Sequence, residues 1–364
     1  REQKAAMLVE RAARRTAVPG RISGRLSGRA SLLTVKGRAA GAGDGSVVLE
    51  SLWSRRAVLV SGKGGVGKTT LSAALAVAAA RAGRPVLLAE LSPDEGGPST
   101  LAGLVGVKEA GPRVVPVGPN LSFVRLSAQE GHRLFLEETL PVKWLAEAAL
   151  RSRALRRFLE AGPALKEMGL MFQLLALVRL THPDGRRVHP LTVVDLPATG
   201  HALALATLPR SILSLMPGGP VGRAVREGLD LLQDPARTGV VLTTLPEPLP
   251  VSETLSLVGE LKDVGLPLSA AVLNRMPEDP FTPESRAALE RLLETHGPHR
   301  GQRALERLER ARIARQRLAA GVGVPHWGLP ELALTGMALV ERLAELLESS
   351  LEGAASRGGR EATP

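Results

Sequence analysis

The sequence predicts an α/β protein built on a doubly wound, mostly parallel sheet with a small helical insertion. Three observations predict it. Short apolar runs suited to buried strands alternate with helix-period segments from residue 57 onward; one of these runs passes straight into a glycine-rich loop and an alanine-rich helical stretch; and between residues 127 and 180 the alternation gives way to helix alone.

In order, strands are expected at 57–61, 85–90, 121–126, 191–195, 239–243, 268–274 and 322–326. The helical insertion opens at Ser127 and Glu130, spaced as a capping box, and Pro141, Gly162 and Pro163 punctuate it. Thr282 followed by Pro283 starts another helix, and residues 337–351 form a last amphipathic one before a polar tail at 351–364. The core domain is therefore set at 57–350, behind a basic arm at 1–56 whose Arg, Gly, Ser and Ala content predicts disorder.

Composition excludes several classes of function. Among 364 residues there is no cysteine, so disulfides, thiolate zinc sites and thiol nucleophiles are ruled out. The net charge of +11 is concentrated in the arm, which holds 12 Lys or Arg against four acids; residues 57–364 carry only +3. That body has few aromatics to stack on bases, which argues against nucleic acid as a partner. No window of 18 apolar residues exists, and the arm has no apolar run longer than 5–9, so a soluble, cytoplasmic protein is expected.

The segment at 58–61 runs into GKGGVGKTT at 62–70 and then into the helical stretch 71–82. Gly62, Gly67, Lys68 and Thr69 match G-x-x-x-x-G-K-[ST], with Lys63, Gly64, Gly65 and Val66 between them and Thr70 after. Such a loop curls backbone N–H groups around phosphate oxygens, and the following helix points its positive end at the same anion. ATP and Mg²⁺ are the expected ligands. Lys68 is expected at the β and γ phosphates and Thr69 in the Mg²⁺ shell. Asp195, at the carboxyl end of an apolar run, faces the crevice where open α/β sheets bind ligands and is the second candidate for the metal.

Lys63, directly after the first glycine, marks the deviant Walker A form, and there the sequence resembles the P-loop family that includes ParA, MinD, the nitrogenase iron protein and the arsenite pump ATPases. DLPATGH at 195–201 resembles the second switch of one branch, the arsenite pump and tail-anchored protein targeting ATPases. Residues 246–276 and 324–332 are similar to later segments of that branch, the likeness running over about 57–350.

The resemblance implies an ATP hydrolase that switches as a dimer, homodimer or heterodimer with a paralogue, acting on an unidentified client or membrane partner. It implies that Lys63 acts across the dimer on the partner's nucleotide, that Asn274 reads adenine, and that a loop containing Pro325 and Pro330 closes over the base. It also implies an aspartate after the second strand to position water, but Ser92 stands there; Asp94 and Glu95 follow, and Asp94 is taken as the catalytic candidate. MGLMFQLLALV at 168–178 is either the insertion's core or a client-binding surface. Two other classes stay open: a ParA-like or MinD-like positioning ATPase using the basic arm, and a weakly hydrolysing nucleotide-sensing scaffold suggested by Ser92.

Overall fold

The computed structural model describes residues 45–91, 97–139, 163–198, 218–296 and 302–358, with isolated positions between 203 and 214. Most of the basic arm, Ser92, Asp94 and Glu95, the middle of the insertion, Thr199 and His201 lie outside the described residues.

Among the described residues the order begins with α1 (Gly45–Trp53), β1 (Ala57–Gly62), α2 (Lys68–Arg81), β2 (Val86–Glu90), α3 (Thr100–Leu104), β3 (Val115–Gly118) and β4 (Leu121–Arg125). It continues through α4 (Ala128–Thr139), α5 (Pro163–Arg179), β5 (Leu191–Asp195), α6 (Gly219–Gln233) and β6 (Thr238–Thr244). It ends with α7 (Pro248–Asp263), β7 (Leu268–Met276), α8 (Pro283–His296), α9 (Gln302–Gly321), β8 (His326–Pro330) and α10 (Gly336–Gly358). The eight strands form one sheet in the order β3-β4-β2-β5-β1-β6-β7-β8, parallel except for the β3–β4 pair.

The central strands are apolar on both faces because helices cover both. Along β1, Val58 and Val60 enter one core with α2, α3 and α10, while Leu59 enters the other with α5, α6 and α7. The alanines of α2 let it lie close on the sheet: Ala73, Ala74, Ala76, Ala78 and Ala79 are all fully buried there. That close seat aims the amino end of α2 at the loop after β1.

Four expectations are corrected. The arm was set to end at residue 56, yet from Gly45 the chain is helical, and Leu49, Leu52 and Trp53 are buried beside Leu343 and Leu347 of α10. Each such side chain contributes about 1.5–3 kcal/mol by leaving water, which a disordered arm would forgo. The edge strand β3, containing Pro116, was missed; an antiparallel edge tolerates proline where a central strand does not. The last strand was placed at 322–326 but pairs from His326, because Val322 packs in the core at the end of α9 and Gly323 turns the chain at φ 68. The last helix also continues past 351, to Gly358.

Of the expected insertion, α4 and α5 fall among the described residues, with a change at the start of α4. Glu130 N–H donates to Ser127 Oγ at 3.5 Å, while Ser127 N–H donates to Gln173 Oε1 at 2.7 Å, tying α4 to α5, and the Glu130 carboxylate binds Arg133. Helix α8 starts as expected, with Ser285 N–H donating to Thr282 Oγ1 at 3.2 Å. The segment 168–178 lies in α5, where Leu170, Met171, Leu174, Leu175 and Val178 fill the core under the sheet. These side chains are committed to packing rather than to a client surface.

Candidate nucleotide site

The loop 62–70 leaves the carboxyl end of β1 where the winding reverses: β2 and β5 lie to one side of β1, β6 and β7 to the other. Two glycines are forced by geometry. At Gly62, φ is 147 and a Cβ would lie 2.2 Å from the Thr243 carbonyl oxygen on β6; at Gly67, φ is 92 and a Cβ would lie 2.2 Å from Asn274 Nδ2. Gly64, Gly65 and Lys63 are exposed along the loop, Val66 is buried beneath it, and Thr69 and Thr70 are half-buried in the first turn of α2.

Lys68 folds back over this loop, its Nζ donating to the Lys63 carbonyl at 2.8 Å. It is 9% exposed, and burial pulls its ammonium below the ordinary value, against which the carboxylate of Asp195 works. Asp195 closes the other side. Ser72 Oγ donates to Asp195 Oδ1 at 3.0 Å, and the Thr69 hydroxyl donates to the same carboxylate. Burial pushes the Asp195 carboxyl up to about 6, with the two hydroxyls and Lys68 restraining the rise and Glu90 adding to it. Lys68, Thr69 and Asp195 are therefore brought together.

Other expectations are placed differently. Asn274 lies beneath the loop, its Nδ2 donating to the Val66 carbonyl at 2.9 Å and its Oδ1 accepting from Arg275 N–H at 3.0 Å. In this arrangement its amide ties the loop to β7, and reading a base would require exchanging the Val66 bond. Pro325 is corrected: its carbonyl accepts from Ala271 N–H at the amino end of β8, about 16 Å of strand from the carboxyl rim where Pro330 pairs with Met276. Lys63 points outward, its Nζ 3.1 Å from Glu253 Oε1 on α7, with half of the lysine side chain exposed. Asp94 lies outside the described residues.

Three residues escaped the sequence reading. Ser72 had one signal, a hydroxyl three residues after Thr69 on an otherwise alanine-rich face. Glu253 and Glu90 had none, since only tertiary pairing brings them to the loop and to Asp195.

Fold and loop together define the class: an α/β nucleoside triphosphatase fold with a phosphate-binding loop at the switch point of its sheet. Residues 55–218, a little under half of the chain, match the anion-transporting ATPase family. ATPase BagA of Mycobacterium tuberculosis is 30% identical over 222 residues, covering 60% of this chain and 64% of the relative. The arsenical pump-driving ATPase of Escherichia coli is 32% identical over 213 residues, covering 57% of this chain and 33% of the relative. The chain thus spans a little under two thirds of the mycobacterial relative and one third of the other. Among the described residues no helix is long and apolar enough to cross a membrane.

Proposed function

We propose that the chain is a Mg²⁺-dependent ATPase that closes as a dimer on binding ATP and reopens after hydrolysis. The observation that supports this best is the joining of Asp195 to Thr69 and Ser72 beside the 62–70 loop, which puts phosphate-gripping amides, a buried lysine and hard oxygen donors in one place. In this reading the N–H groups from Gly64 to Thr70 and the amino end of α2 hold the phosphates, while Lys68 exchanges the Lys63 carbonyl for a phosphate oxygen.

The donors suit Mg²⁺. Thr69 and Asp195 offer oxygens only, and no cluster of three or more His, Cys, Asp or Glu forms an all-protein cage among the described residues. An ion that keeps several waters and takes phosphate oxygens fits such a sparse set. Bound there, it would offset charge developing on the transferring phosphoryl group. Asp195 would hold its side of that shell, with Ser72 fixing the carboxylate's rotamer, and Asn274 would keep the loop in its gripping shape.

Lys63 would serve the partner's nucleotide. Its ion pair with Glu253 is half-exposed, and such pairs are worth at most about 1 kcal/mol, so leaving it costs little. A cation delivered across the interface is worth about 10³ to 10⁵ in rate in related chemistry. The partner would be a second copy or a paralogue. The cargo would not be a thiol-seeking metalloid held by this chain, which has no cysteine. Light scattering with Mg²⁺ and a non-hydrolysable ATP analogue tests the dimer: the mass should double for the wild type. A wild-type chain that binds the analogue and stays monomeric contradicts this reading.

A further inference from the structure

Hydrolysis needs a group that orients and deprotonates water, and in this site Asp195 is already committed to the hydroxyls of Thr69 and Ser72. The carboxyl rim carries a second carboxylate, half-buried, with one oxygen withdrawn from water. Glu90, the last residue of β2, is the register partner of Asp195 on β5 and of Arg125 on β4. Register partners on parallel strands project to the same face, so Arg125, Glu90 and Asp195 form a row on the face covered by α2. The influence of Glu90 on the Asp195 carboxyl agrees with that adjacency.

Backbone bonds fix the row: Leu91 N–H donates to the Asp195 carbonyl at 3.1 Å, and Leu126 N–H donates to the Glu90 carbonyl at 2.8 Å. Arg125 Nε lies 3.6 Å from Glu90 Oε2, and Arg125 Nη1 donates to the Gly97 carbonyl at 2.6 Å. Glu90 Oε2 is buried yet accepts no hydrogen bond. A buried carboxylate oxygen left in this state costs stability that a packed apolar side chain would not. Two strand spacings, about 10 Å, separate β2 from β1, a span that a glutamate and one ordered water cover together.

We propose that Glu90 is the carboxylate that orients the attacking water, with Arg125 holding it between turnovers. This deepens the ATPase reading and rests on it. In the step assigned to Glu90, the water oxygen forms a bond to the γ-phosphorus. The bond from that phosphorus to the β–γ bridging oxygen breaks, and its electron pair leaves with ADP. The water proton passes to the Glu90 carboxylate and from there to the departing phosphate. Ser92 is not needed, because the acid sits at the end of the strand, where ordered backbone holds it more rigidly than a loop would.

The test is Glu90→Gln, which keeps shape and removes the base. Single-turnover hydrolysis should fall about 10²-fold or more, with Glu90→Asp recovering part of it. Binding of a non-hydrolysable ATP analogue with Mg²⁺ should stay within about threefold. Retention of ADP with aluminium fluoride, which mimics the planar phosphoryl group, should be lost; a packing role alone would not separate these two ligands. Should Glu90→Gln fail to fold, the pair Glu90→Leu with Arg125→Met removes both charges and should show the same separation. Unchanged hydrolysis in Glu90→Gln overturns the proposal. Failure of the ATPase reading itself looks different: the wild type then binds neither nucleotide, or binds the analogue without ever hydrolysing ATP.

Discussion

Asn274 offers the sharpest quantitative test of how the loop is held. Asn274→Ala removes the donor to the Val66 carbonyl, a bond of 2.9 Å inside the protein, and leaves that carbonyl without its side-chain partner. Orphaning a buried acceptor costs about 1–3 kcal/mol. If the whole cost falls on the gripping shape of the loop, nucleotide affinity drops by about 5- to 150-fold, since 1.4 kcal/mol is a factor of ten. The thermal midpoint should fall by a few degrees, at about 2–4 °C per kcal/mol for a domain of this size. Titrating fluorescent ATP and GTP analogues with Mg²⁺ into wild type and Asn274→Ala separates the roles. The loop tie predicts that both affinities fall by similar factors. Unchanged affinity for both refutes the loop tie, and a loss confined to ATP favours base reading.

Other outcomes follow from the same geometry. Gly67→Ala places a Cβ 2.2 Å from Asn274 Nδ2 at φ 92, so it should abolish nucleotide binding and lower stability by about 1–3 kcal/mol in a urea melt; an unaffected variant would contradict the loop's shape. Lys63→Ala should bind the ATP analogue within about threefold of wild type while staying monomeric, and its turnover should fall about 10³-fold; normal dimerisation by light scattering would remove the role across the interface. His189 is buried, and desolvation, with His182 adding to it, holds its imidazole down at about 4. The unfolded chain binds that proton near pH 6.5, so the stability from the neutral ring is complete above 6.5 and drains away as pH falls toward 4. Between pH 7 and 4.5 that is about 2–3 kcal/mol. His189→Leu should lose that much less than wild type in urea melts over this range, and parallel curves would contradict the assignment.

Much of this was legible in the residues because the signals were local. β1, the glycine loop and α2 are contiguous, and the strand placement of Val58 and Val60 and the place of Lys68 and Thr69 at the loop's end follow from spacing alone. Asp195 could be placed because a strand's carboxyl end in an open sheet points to one crevice. What was missed depends on partners far away in the chain. Trp53 and Leu49 looked like part of a polar arm, since their burial needs α10, some 290 residues later. Val322 looked like a strand residue because apolar character cannot tell a helix end packed in the core from a ladder. Pro325 came to the site through the resemblance of 324–332, which does not fix which end of a strand this proline occupies. Glu90 drew no notice because an acid at a strand end reads as solvated until its neighbours across the sheet are known.

Calorimetric titration of Mg²⁺ and ATP into wild type and Lys68→Ala measures the phosphate grip itself. The wild type should bind saturably at one site per chain, with no measurable binding by Lys68→Ala, whose circular dichroism should match the wild type. Equal binding by both would contradict this, because the loop from Gly62 to Thr70 would then not be what holds the phosphates.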